Sequence, residues 1–223
     1  MALPRPCICL ITDRRRLSPG ARTPHDEAHA LLRWLAEAVG HVDLIQIRER
    51  DLDAASLAAL ASRVTALASR QRTNVVVNDR ADIAIAARAH GVHLRGDGPD
   101  IERVRSLGPG EWTVGRSVHT LEGVRAHQSA DYLLFGTMFE SASKPVGAEV
   151  QSIDRLAAAA AVSTTPVLAI GGITLERAAA CATAGASGVA AIGLFAGISD
   201  VATLRALVDD LRAVFQGGSN LLE

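Results

Sequence analysis

An α/β chain closing into a (β/α)8 barrel is the fold class this sequence predicts, and three observations carry it. Short apolar runs, each too continuous for a half-exposed strand, alternate eight times with segments whose apolar residues recur at helical spacing. No break in composition divides the 223 residues, a length that an α/β barrel commonly fills as one unit. Polar and ionisable residues gather just after the apolar runs, where α/β enzymes keep their chemistry. Alternation alone also suits a doubly wound open sheet, but no glycine-rich dinucleotide fingerprint follows the first run. The expectation is one barrel domain over residues 1–216 and a flexible tail over 217–223.

Taken in order, Ile8 to Thr12 is the first strand, and the Arg14-Arg15-Arg16 run after it reads as a solvated loop. Thr23 before Pro24 is an N-cap with a first-turn proline, so a helix runs to about Val39 and stops at Gly40. Asp43 to Ile47 is the second strand. Asp53 caps a helix to about Ser69, with Leu57, Leu60, Ala61, Val64 and Leu67 on one face. Asn74 to Asn78 is β-branched and strand-like, and an alanine-rich helix from Ala81 to Ala89 follows. Gly91 to Leu94 is a short fourth strand, and Asp100 opens a helix ending near Gly108.

Thr113 to Ser117 and Tyr132 to Phe135 are the fifth and sixth strands, separated by a helix from Thr120. Glu140 to Glu149 is long for a βα loop and is therefore a candidate functional loop. A helix from Ser152 to Ala161, a strand from Pro166 to Ile170, a helix capped by Thr174, a strand from Val189 to Ile192 and a helix from Leu204 to Phe215 complete the series.

Composition bounds the function. A hydrophobic fraction of 48% against 21% charged suits a soluble protein with a sizeable core, and 3% aromatic residues leave Ala, Val, Leu and Ile to fill it. A net charge of -1 argues against a general nucleic-acid binder while leaving room for a small anion held by local arginines. Cys7, Cys9 and Cys181 form neither an even disulfide set nor a paired zinc pattern, which points to the reducing cytoplasm. No apolar run reaches the roughly 18 residues of a membrane span, and charged residues follow Thr12 at once, where a secretory signal would need a longer apolar region and a small-residue cleavage site.

Several groups could carry chemistry. Gln46, Arg48 and Arg50 follow the second strand and share one side if the extended conformation persists. Two guanidiniums suit a phosphate or pyrophosphate, the other reading being a solvated loop paired with Glu49, Asp51 and Asp53. Asp79 after Asn78 suits Mg2+, or one of the pair caps the next helix. Gly171-Gly172 and Gly193 stand after the last two strands, where barrels often bind phosphate on backbone N–H groups, although turns use such glycines too. His119, near Ser117, is a natural acid/base, and Lys144 in the long loop offers a positive charge. His93, inside its strand, reads as a packed or hydrogen-bonded barrel residue.

The motifs IQIRER (45–50), VNDRADIA (77–84), GVHL (91–94), GRSVHTLE (115–122), LLFGTMF (133–139), SK (143–144) and AIGGIT (169–174) together resemble the thiamin phosphate synthase and thiazole tautomerase superfamily. The resemblance runs along nearly the whole chain and implies a TIM barrel that binds a thiazole phosphate. In the synthase branch it implies that Gln46, Arg48, Asn78 and Lys144 meet a pyrimidine pyrophosphate, that Asp79 ligates Mg2+, and that Ser117 touches substrate. Two positions depart from that branch: Arg50 replaces a lysine, and Gly98 stands where a second Mg2+ aspartate is expected, with Asp97 one residue away.

The tautomerase branch needs no metal, and GRSVHTLE followed by LLFGTMFE is especially similar to it. The expectation taken forward is therefore a thiazole tautomerase, its phosphate on Gly171, Gly172, Gly193 and Leu194. His119 moves the proton, while Ser117 and Lys144 hold the substrate carboxylate or its neighbours. The alternatives are thiamin phosphate synthase, with Mg2+ on Asp79 or Asp97, and a non-catalytic thiazole-phosphate-binding protein. A homodimer is implied by resemblance alone.

Overall fold

The computed structural model describes residues 3–18, 20, 23–140 and 149–219. Eight parallel strands pair in chain order: β1 (Cys7–Ile11), β2 (Leu44–Ile47), β3 (Asn74–Asn78), β4 (Gly91–Leu94), β5 (Thr113–Val118), β6 (Tyr132–Gly136), β7 (Val167–Ile170) and β8 (Gly188–Ala191). Closure is made by β1 against β8, with Cys7 opposite Gly188 and Leu10 opposite Ala191. That pairing excludes the open sheet.

The helices are α1 (Arg14–Leu17), α2 (Pro24–Ala38), α3 (Ala54–Ala68), α4 (Ala81–Ala86), α5 (Ile101–Arg105), α6 (Leu121–Ala126), α7 (Ile153–Val162), α8 (Leu175–Thr183) and α9 (Val201–Ser219). Predicted caps are made as polar side chains at helix starts require. Thr23, Asp53, Asp100, Thr120, Ser152 and Thr174 each accept a hydrogen bond from the backbone N–H three residues on. α4 stops at Ala86, short of the predicted Ala89, and Arg88 just beyond it takes a left-handed φ of 52°. α9 runs through Gly217 and Gly218 to Ser219, into the segment read as a tail, because buried Leu204, Val208, Leu211 and Phe215 anchor it. No helix among the described residues is long and apolar enough to cross a membrane.

Alternate strand residues divide the core in two. Cys7, Cys9, Ile11, Leu44, Val76, Tyr132, Leu134, Leu168 and Ala190 fill the barrel interior. The residues between them in sequence, such as Ile8, Leu10, Ile45, Val75 and Val77, pack outward against the helices. This period-two division places Gln46, Asn78, Ser117 and Gly136 at the carboxyl ends of the strands, facing the axis, where they share one cavity.

The Arg14 to Arg16 run is not a solvated loop. It forms α1, and Arg14 is buried at 3% exposure with its guanidinium on Glu27, Glu49 and Asp51. A buried arginine needs such partners, since an unpaired charge out of water is expensive. Glu49 and Asp51, which the alternative sequence reading paired with Arg48 and Arg50, are thus occupied by Arg14 instead.

Candidate functional site

A cavity of about 660 Å³ opens at the carboxyl ends of the strands. Gln46, Arg48, Arg50, Asn78, Ser117, His119, Gly171, Gly172 and Gly193 all line it. The side chain of Leu194 does not line it and packs instead against the outer core layer. Lys144 lies outside the described residues.

On the rim of β2 to β4, alternation after β2 works as predicted. Gln46, Arg48 and Arg50 face the cavity, while Glu49 between them turns away to Arg14. Thr12 Oγ1 accepts from Arg48 N at 2.9 Å, so the strand end is tied down. Among the described residues, neither the Arg48 nor the Arg50 guanidinium makes a hydrogen bond or ion pair. Burial, and next the positive charge of Arg50, push the Arg48 pKa down against the opposing pull of Asp13, Glu49 and Asp79.

Gln46 is 2% exposed and its amide orientation is fixed by a relay. Asp79 Oδ2 accepts from Asn78 Nδ2 at 3.2 Å, and Asn78 Oδ1 accepts from Gln46 Nε2 at 2.8 Å. Gln46 Oε1 is left buried with no partner, an acceptor waiting for a ligand donor.

Asp79 adopts a left-handed φ of 58°, which turns its carboxylate over the end of β4. Oδ1 accepts from Arg95 N at 2.8 Å and Oδ2 lies 3.2 Å from Arg95 Nε. Asp97 Oδ1 lies 3.3 Å from the same nitrogen. Both carboxylates expected to hold a metal are therefore paired to one guanidinium, and no group of three or more His, Cys, Asp or Glu suited to a metal occurs among the described residues.

A Mg2+ ion demands near-octahedral oxygen ligands at about 2.0–2.1 Å, and these residues do not fit it. The second aspartate position is Gly98, whose carbonyl accepts from Arg116 Nη2 at 3.0 Å. Arg116, buried on β5, also donates to Pro99 O at 2.7 Å and Gly96 O at 3.3 Å, fixing the loop. A Cβ added at Gly98 would stand 3.1 Å from Arg95 O and 3.4 Å from Arg116 Nη1, a tight fit.

In the centre, His93 is buried as predicted, with Nδ1 3.0 Å from Tyr132 Oη and Nε2 2.9 Å from Ser117 Oγ. Burial, and next the charges of Arg116 and Arg48, hold its pKa down to about 3, so it stays neutral and positions Ser117. His119 Nδ1 donates to the carbonyl of Gly136, leaving Nε2 as the acceptor nitrogen.

The opposite rim is the glycine pair and Gly193. Gly171 and Gly172 have φ of 103° and 62°, and a Cβ on Gly172 would meet Glu140 O at 2.4 Å, so only glycine fits. Among the described residues the N–H groups of Gly171, Gly172, Gly193 and Leu194 donate to no backbone carbonyl. They form a cradle suited to an anion. Leu194 thus belongs to this rim through its backbone alone.

Three cavity arginines escaped the sequence reading. Arg16 lies against Gly193, where an added Cβ would be 2.9 Å from its Nη2; Arg177 donates to Gly172 O at 2.7 Å and covers Phe139 at 4.8 Å; Arg95 joins the two aspartates. Arg16 had a faint signal as part of a basic run after a strand end. The other two sit in helix and loop positions that look solvated in sequence.

A family profile described as thiamine monophosphate synthase (TMP-TENI) matches residues 9–195. A thiamine-phosphate synthase of Roseiflexus castenholzii is 37% identical over 209 residues, 92% of this chain and 88% of its own. One from Anaeromyxobacter dehalogenans is 40% identical over 182 residues, 80% of each chain. The solved thiamine phosphate pyrophosphorylase of Pyrococcus furiosus superposes with a TM-score of 0.77 at 28% identity, covering 96% of both chains.

Proposed function

This chain belongs to the thiamine monophosphate synthase (TMP-TENI) family, it is accordingly an enzyme of thiamine biosynthesis, and we propose that it joins a pyrimidine pyrophosphate to a thiazole phosphate. The tautomerase expectation gives way to the synthase because the relatives compared above carry the synthase or pyrophosphorylase name. The observation that carries the reading is a pair of anion-holding rims across one cavity. Arg48, Arg50 and Arg95 stand after β2 and β4, and the glycine N–H cradle stands after β7 and β8. In the closed ring β3 lies opposite β7, so the rims face each other. A condensation of two anionic substrates needs two such rims, with the reacting ends meeting between them.

In this mechanism the thiazole phosphate rests on the N–H groups of Gly171, Gly172, Gly193 and Leu194, beside Arg16. Gln46 Oε1 accepts a hydrogen bond from the pyrimidine, and Asn78 holds the amide in that sense. The bond between the pyrimidinyl carbon and the pyrophosphate oxygen breaks, and the oxygen keeps the electron pair. Arg48, Arg50 and Arg95 stabilise the charge that develops there. The thiazole nitrogen then donates its lone pair to the carbon, giving thiamin phosphate and pyrophosphate. Ser117, fixed by His93, lines the path between the rims, and the resemblance adds Lys144 to the pyrophosphate side. Buried free thiols favour a cytoplasmic enzyme.

A second reading rests on one observation: His119 has its tautomer set by Gly136, which frees Nε2 for proton transfer in a tautomerase. Supplying the pyrimidine pyrophosphate and thiazole phosphate together, with Mg2+ or with EDTA, separates the two. Thiamin phosphate in either condition supports the synthase. No product in both, together with conversion of a thiazole phosphate carboxylate tautomer that His119→Ala abolishes, moves the function to the tautomerase. No turnover of either leaves a phosphate-binding protein.

A further inference from the structure

We propose that Arg95 stands in for a divalent cation at the pyrophosphate rim, so that this site binds pyrophosphate without metal. The inference rests on the synthase reading, in which a leaving pyrophosphate has to be neutralised. The guanidinium sits where two carboxylates converge, 3.2 Å from Asp79 and 3.3 Å from Asp97, both through Nε. Asp79 has three partners: Oδ1 accepts from the backbone N–H of Arg95, while Oδ2 accepts from Asn78 Nδ2 and faces Arg95 Nε as an ion pair. A metal there would have to compete with those partners and share the space with a permanent positive charge.

The rest of the loop enforces the exchange. Gly98 leaves the second ligand position without a side chain, and three carbonyls held by Arg116 keep the loop from sliding Asp97 into it. Among the described residues Arg95 Nη1 and Nη2 make no hydrogen bond, so the outer fork can turn to a ligand. Arg95 lines the same cavity as Arg48 and Arg50, and a planar fork matches phosphate oxygens in pairs. The two aspartates thus orient a cation that the chain itself supplies.

Calorimetric titration of the whole protein with inorganic pyrophosphate, in EDTA and then in excess Mg2+, tests this. The expected result is binding in EDTA with a Kd within about threefold of that in Mg2+, a factor of three being about 0.7 kcal/mol. Arg95→Ala should weaken binding in EDTA at least tenfold, and Arg95→Lys should retain part of it. Wild-type binding that appears only with Mg2+ overturns the proposal, as does Arg95→Ala binding pyrophosphate in EDTA as tightly as wild type. If Arg95→Ala does not fold, the wild-type pair of titrations decides alone. Thiamin phosphate formed only with Mg2+ sinks this inference and keeps the synthase, whereas metal-free pyrophosphate binding with no thiamin phosphate under any condition sinks the synthase and keeps Arg95.

Discussion

His93 shows how one buried side chain ties stability to the site. Its imidazole titrates near pH 6.5 in an unfolded chain and at about 3 in the barrel, with burial the main cause. A depressed pKa means that the unfolded chain takes up the proton first. The stability is therefore complete above about pH 6.5 and falls as pH drops toward about 3, by about 1.4 kcal/mol for each unit. Urea unfolding of wild type and His93→Gln at pH 6.5 and 5.5 checks it: the variant's loss between the two should be smaller by about 1 kcal/mol, since the unfolded imidazole is only half protonated at the upper pH, and equal losses would remove His93 as the cause. At this scale the sequence was readable for His93, whose place inside an apolar run marked it as packed. It was not readable for Arg14 or Arg95. Each owes its role to carboxylates on another strand's loop, and a basic residue in a polar stretch looks solvated until those strands are neighbours.

Among elements, caps and strands were legible because their causes are local. Thr23, Asp53, Asp100, Thr120, Ser152 and Thr174 bond within their own first turn, and β3 and β4 span the predicted residues. Four-residue α1 was hidden, since its driving contact is Arg14 with β2's loop rather than any periodicity. The fit of β5 to β6 depends on a feature that periodicity never reports. Gly115 makes room for the Tyr132 ring inside the barrel, and an added Cβ would lie 2.1 Å from Tyr132 Cζ. Gly115→Ala should cost about 1–3 kcal/mol by overpacking and, by displacing Tyr132 from His93, should also loosen Ser117. Denaturant midpoints measure the first effect, and a raised KM for the pyrimidine substrate measures the second. A variant as stable as wild type would show that the ring has room to move.

For the molecule as a whole, a net charge of -1 conceals a strong separation. Among the described residues Arg16, Arg48, Arg50, Arg95 and Arg177 line the cavity with Asp97, and Asp79 stands at its rim, so an anion approaching the mouth meets an attractive field that the overall composition does not reveal. The separation arises from folding, which collects arginines scattered over most of the chain at one end of the ring in excess over the acids there. Barrel closure has one more consequence at this scale. All three thiols are buried, and burial pushes the pKa of each upward, that of Cys181 to about 11. Cys7 and Cys9 face the interior of the ring, beneath the cavity floor, while Cys181 lies on the buried face of α8 in the outer core layer. The protein therefore carries its own clock for opening: an aromatic disulfide reagent should modify Cys7 and Cys9 at the rate at which the ring itself comes apart, and pyrophosphate or thiazole phosphate should slow that clock. Modification as fast as that of an unfolded chain would mean that the ring breathes without unfolding.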